Sequence, residues 1–268
     1  MSDAERLAGL VATWKDSIDD FVALLRSLPQ DAADLPTDLP GWSVRDVASH
    51  TAHLEAVLAG GPEETIEVLP AEHLTSPMAY YTEQGVLARK GRTLVELADE
   101  IEQAAVIRYR DLTTNPPTDA EASTRKTPGD IGWTDGRLLS NRPLDVWMHE
   151  QDIRRAVDRP GGFDRPGAKH VIGVFAQSLR MVLGKHVAPP AGTTVAIELE
   201  GRGQIASATM RADGRAYASY GETPTVTITM SPEDYICAAG GRRAPAAVSY
   251  DGDADLGQHV VANLAVTP

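Results

Sequence analysis

The chain has 268 residues, 42% hydrophobic and 24% charged, with 25 basic against 38 acidic side chains and a formal charge of −13. This is a globular composition that excludes a disordered tail, a collagen-like rod and a disulfide-stapled miniprotein, and so acidic a surface argues against a nucleic-acid partner. No stretch reaches the roughly 18–20 apolar residues of a membrane span, the opening Met1-Ser2-Asp3-Ala4-Glu5 is acidic where a secretory signal is basic, and Cys237 is the one cysteine, so a cytoplasmic protein without a membrane role is expected.

Ser2 and Glu5 have the form of a capping box ahead of Leu7, Leu10, Val11, Trp14, Ile18, Phe21, Val22 and Leu25. Their three- and four-residue spacing predicts an amphipathic helix, which Pro29 stops. A second helix should begin near Ser43, with Val44, Val47, Ala48, Thr51, Leu54 and Leu58 on its apolar side and Gly60-Gly61-Pro62 at its end. A third helical region lies between Pro77 and Leu112. Residues 113–135 have no periodicity and read as a long loop. A fourth helix is expected from about Ser140 to Val157 and a fifth from about Pro166 to Lys185. After Pro189-Pro190 the period falls to two at Val195, Ile197 and Leu199, and again at Val226, Ile228 and Met230, which are strand signals. Ser231-Pro232 opens a short helix, and a strand near Val248 and a helix from about Asp253 complete the chain. The expected class is α+β, a helical bundle over residues 1–188 followed by a small α+β domain over 189–268.

The fourth helix carries the strongest chemical signal. At about 100° per residue, Leu144, Trp147 and Met148 cover one side and Val146, Ile153 and Val157 the opposite side. A helix apolar on two sides is sandwiched. Asp145, His149, Asp152 and Ala156 occupy a sector of roughly 60° between those faces, where ionisable groups need partners. Asp145 and His149 can reach one divalent metal, or can form an Asp–His hydrogen bond that merely ties the helix to the bundle; spacing alone leaves both open. On the second helix His50 lies about 90° from the centre of the apolar face and His53 about 150°, so His50 can turn inward while His53 faces mostly outward. His50, Asp145 and His149 together would supply three N/O ligands and leave a fourth position open, as in catalytic zinc sites. Trp42 reads as a packing anchor, Ser43 as a helix cap, Glu150 with Arg154 as a solvated i,i+4 pair, and Gly201-Arg202-Gly203 as a hairpin turn. No partner is predicted for His73, His170, His186 or His259.

Two segments carry a family resemblance. Gly41-Trp42-Ser43-Val44-Arg45-Asp46-Val47-Ala48-Ser49-His50 and Arg142-Pro143-Leu144-Asp145-Val146-Trp147-Met148-His149-Glu150-Gln151-Asp152-Ile153-Arg154-Arg155 resemble the metal-ligand segments of the DinB-like, mycothiol-dependent maleylpyruvate isomerase family. The last third, through Gly241-Arg242 and Gly252-Asp253-Ala254-Asp255-Leu256, is similar to that family's sterol-carrier-like domain. The resemblance implies a DinB-like bundle with metal ligands at His50, Asp145 and His149, the isomerase itself having glutamate where this chain has Asp145. It also implies a catalytic arginine in the terminal domain, best matched by Arg242 with Arg243 beside it.

Mycothiol as cofactor would supply the sulfur that the chain lacks, since Cys237 sits in a predicted short helix and reads as a small buried hydrophobe. The implied function is a metal- and mycothiol-dependent thiol transferase or isomerase acting on a small electrophile, with zinc as the metal or nickel or manganese in its place. Two rival readings use the same residues: a metal-stabilised protein that binds an apolar ligand, and a metal-dependent hydrolase.

Overall fold

A computed structural model describes residues 2–266. The chain divides into two compact units, one ending at Ala168 and the other beginning at Lys169. The first contains α1 (Asp3–Ser27), a 3-10 turn (Gln30–Asp34), α2 (Val44–Leu58), α3 (Pro77–Ala88), α4 (Leu94–Thr114) and α5 (Asp135–Ala156). Helices α1 and α2 each pack against both α4 and α5, and α3 lies on α2. Trp14, Ile18, Phe21, Val47, Ala48, Leu97, Ile101, Val146 and Ile153 form the buried core between them. Trp147 and Met148, on the other side of α5, are buried as well, so the two-sided apolar pattern of that helix does reflect a sandwiched position.

Two predicted boundaries move. The third helical region is two helices, because Gly91 at φ +87° turns the chain and Thr93 with Glu96 caps α4 through a new capping box. Helix α5 starts at Asp135 rather than near Ser140, with the Thr134 side chain accepting from Arg137 N–H, so that Pro143 falls inside the helix. The absent N–H of Pro143 removes one ladder bond there.

Helix α6 (Pro166–Met181) begins at the end of the first unit and continues in the second, running into a π-helical turn (Val182–Val187). Strands β1 (Thr194–Leu199), β2 (Gly203–Met210), β3 (Ala216–Ala218), β4 (Val226–Met230) and β5 (Val248–Gly252) form one sheet in the order β3-β2-β1-β4-β5. β1 and β4 run parallel and the other neighbours antiparallel. Helix α7 (Pro232–Ala239) joins β4 to β5, and α8 (Ala254–Ala262) follows. The fold is α+β as expected, and the change of period that motivated a division after residue 188 lies within the second unit, where the π-helical turn packs on β2 and α8. No helix among the described residues is long and apolar enough to cross a membrane.

Candidate metal centre

Helices α2 and α5 deliver the three predicted ligands to one place. Ser43 starts α2: its Oγ accepts from Asp46 N–H at 3.3 Å and the Asp46 carboxylate accepts from Ser43 N–H at 2.8 Å. Two turns on, His50 is brought against α5, where Asp145 and His149 are one turn apart. The Asp145 carboxylate lies between the rings, with Oδ2 3.7 Å from His50 Nε2 and Oδ1 3.6 Å from His149 Nε2. The donors all lie within 4.8 Å of one another. Side-chain exposure is 6% for His50, 8% for His149 and 21% for Asp145.

Separations of 3.6 and 3.7 Å are too long for hydrogen bonds. One donor atom from each residue, all within 4.8 Å of one another, makes a group that could hold one metal ion. The histidine–aspartate tie that does exist goes elsewhere, from His149 Nδ1 to Asp152 Oδ2 at 3.1 Å. That leaves Nε2 of both rings turned to the Asp145 carboxylate.

The charges suit a cation. Burial lowers the pKa of His50, and His149 and Arg142 lower it further against the opposing pull of Asp145, so the ring is held neutral. Burial would raise the Asp145 carboxyl, but Arg142 and the two histidines outweigh it and hold the group well below its ordinary value. A neutral imidazole and an ionised carboxylate are the forms that bind metal.

Behind the ligands lies a buried ionic cluster that sequence reasoning missed. Arg142 Nη1 donates to Asp145 Oδ2 at 2.9 Å, while its Nε and Nη2 donate to Glu55 Oε1 at 3.0 and 2.8 Å. Arg108 donates to Glu55 Oε2 at 2.9 Å, and Trp14 Nε1 to Oε1 at 3.1 Å. Burial pushes the Glu55 carboxyl up, yet Arg142 and Arg108 more than offset this and its pKa is lowered. A signal was available, since Glu55 continues the apolar stripe of α2, four residues after Thr51 and seven after Ala48.

Several other readings change. His53 is fully buried rather than outward, its ring 5.3 Å from that of Tyr81 because α3 covers that side of α2. Burial, with Arg89 and His50 adding to it, holds its pKa down at about 4. Glu150 does pair with Arg154, at 2.7 Å, but is completely buried rather than solvated, and burial raises its pKa. Trp42 is more than an anchor: its ring lies 5.0 Å from His50 and 6.3 Å from His149, and its Nε1 donates to Glu83. His73 Nε2 faces Glu83 Oε2 at 3.5 Å without a hydrogen bond. In the second unit, Arg242 and Arg243 follow α7, where Arg242 Nη1 donates to Gly240 O and Arg243 Nη2 to Glu233 Oε1. Cys237 is buried in α7.

Two family models match the chain. The mycothiol maleylpyruvate isomerase N-terminal domain covers residues 14–154, and the corresponding C-terminal domain covers 170–259. Among solved structures, the mycothiol-dependent maleylpyruvate isomerase is similar at a TM-score of 0.59 and 14% identity, over 94% of this chain and 95% of that one. A histidine-to-alanine mutant of a mycothiol-dependent maleylpyruvate isomerase is similar at 0.57 and 13%, over the same shares. At such identities the likeness concerns the fold. No curated protein matches the chain.

Proposed function

We propose that this chain, which belongs to the mycothiol maleylpyruvate isomerase family, is a metal- and mycothiol-dependent enzyme, a thiol transferase or isomerase acting on a small electrophile. The observation that carries this reading is the convergence of His50, Asp145 and His149, whose donor atoms all lie within 4.8 Å of one another. Their two nitrogens and one oxygen suit zinc, with nickel or manganese as fitting alternatives. When bound, a divalent cation supplies Lewis acidity that favours a thiolate over its thiol.

The chain's own residues do the rest. Arg142 keeps Asp145 ionised, and the Trp42 ring lies beside both histidines. Cys237 is buried in the second unit, so the reacting sulfur is assigned to mycothiol. Arg242, in the second unit, is the match to the family's arginine, with Arg243 its neighbour. An isomerase returns the thiol after a bond has rotated, and a transferase retains it in the product.

The test is turnover of a generic electrophile by metal-loaded protein, with and without mycothiol. The proposal expects turnover only with the thiol, and its loss in His149→Ala but not in Cys237→Ala. Equal rates with and without mycothiol would overturn the thiol reading and favour hydrolysis, because a cation with an open position also activates water.

A further inference from the structure

Asp152 is a fully buried carboxylate one turn beyond His149 on α5. Its Oδ2 lies 3.1 Å from His149 Nδ1, and its Oδ1 accepts a hydrogen bond from Arg155 Nη2. Arg155 is itself anchored, with Nε donating to Asp38 Oδ2 at 2.6 Å. His50 is treated differently: its buried Nδ1 has no hydrogen-bond partner among the described residues.

We propose that Asp152 is a positioning residue that holds His149 as the Nδ1–H tautomer, with the Nε2 lone pair directed at the metal position. The inference rests on the metal reading above. A carboxylate can only accept hydrogen bonds, so the ring nitrogen facing Oδ2 must carry the hydrogen and the other nitrogen must be the free ligand. Arg155 holds Oδ1, which stops the carboxylate from turning away from the ring. Metal-binding histidines commonly have such a carboxylate behind them, and it sets both ring orientation and basicity. The chain fixes the tautomer of one histidine and leaves the other to be fixed by the cation.

Asp152→Asn is the informative substitution because it keeps size and shape. Arg155 offers a donor, so the amide oxygen stays toward Arg155 and the amide NH₂ faces His149 Nδ1. That amide must then donate, and His149 is driven to the Nε2–H tautomer, which cannot ligate. The same inversion of tautomer follows when the aspartate of a catalytic Ser-His-Asp triad becomes asparagine.

The experiment measures zinc affinity of the full-length protein by competition with a chromophoric chelator. In parallel, the His149 tautomer is read from ¹⁵N chemical shifts of histidine-labelled, metal-free protein. The expected result is an Nδ1–H tautomer in the unsubstituted protein, and in Asp152→Asn an Nε2–H tautomer with zinc affinity lower by roughly 10- to 100-fold. Unchanged affinity in a folded Asp152→Asn protein would overturn the proposal. So would an Nε2–H tautomer in the unsubstituted protein, a measurement that needs no variant to fold. If the unsubstituted protein binds no zinc, the metal reading itself fails, while the tautomer still decides what Asp152 does to the ring.

Discussion

Asp145 has imidazoles on one side and the Arg142 guanidinium on the other, so its position depends on residues further back. Arg142 is shared with Glu55, and Glu55 with Arg108 and Trp14. Removing one partner from a buried ion cluster leaves the others uncompensated and costs about 3–5 kcal/mol. Glu55→Gln should therefore lower stability by about that amount at neutral pH, as measured by urea denaturation. The pH dependence follows from the lowered pKa of Glu55 in the folded protein. Its contribution is complete above the ordinary glutamate value of about 4.3 and is lost as pH falls through the depressed folded value. The gap between Glu55→Gln and the unsubstituted protein should close in acid; a gap that widened there would contradict the account. At this scale the convergence of His50, Asp145 and His149 was legible from helical phase together with the family resemblance. Glu55 was not singled out, because a carboxylate on an apolar stripe adds nothing to a hydrophobic pattern and its two arginines are 53 and 87 residues away.

Helix α2 shows how far the pattern of a single element reaches. Helical phase puts His50 at the border of the apolar face, and its ring does turn inward; it puts His53 outward, yet His53 is buried. The reason is α3, which reaches α2 through Gly85. A Cβ added at Gly85 would lie 2.1 Å from the His53 ring, so only glycine lets the two helices approach this closely. The covering face of α3 is marked by a missing side chain rather than by an apolar one, and periodicity does not register it. Gly85→Ala should cost about 1–3 kcal/mol, as overpacking of a filled interior does, seen as a lower midpoint in chemical denaturation. An unchanged midpoint would mean that α3 is not held against His53. The late start assigned to α5 has a similar cause: Thr134, Asp135, Gly136 and Arg137 form its cap and first turn yet carry no apolar residue.

Across the whole molecule, the α+β class and most of the elements were legible, since helical spacing gives way to alternation at Val195. Strands β2 and β3 were weaker signals, because Ala206, Ser207, Ala208, Ala216 and Ala218 alternate with little hydrophobic contrast. The two family models cover both parts of the chain, but the three candidate ligands all belong to the first unit. Metal content of the full chain is therefore the direct measure of zinc binding there. Protein stripped with chelator, reloaded with zinc and desalted should retain about one ion per chain by elemental analysis, the occupancy of a single three-ligand site. His50→Ala, Asp145→Ala and His149→Ala should each retain almost none. Failure of the unsubstituted chain to keep zinc, or full retention by any of the three variants, would contradict the account.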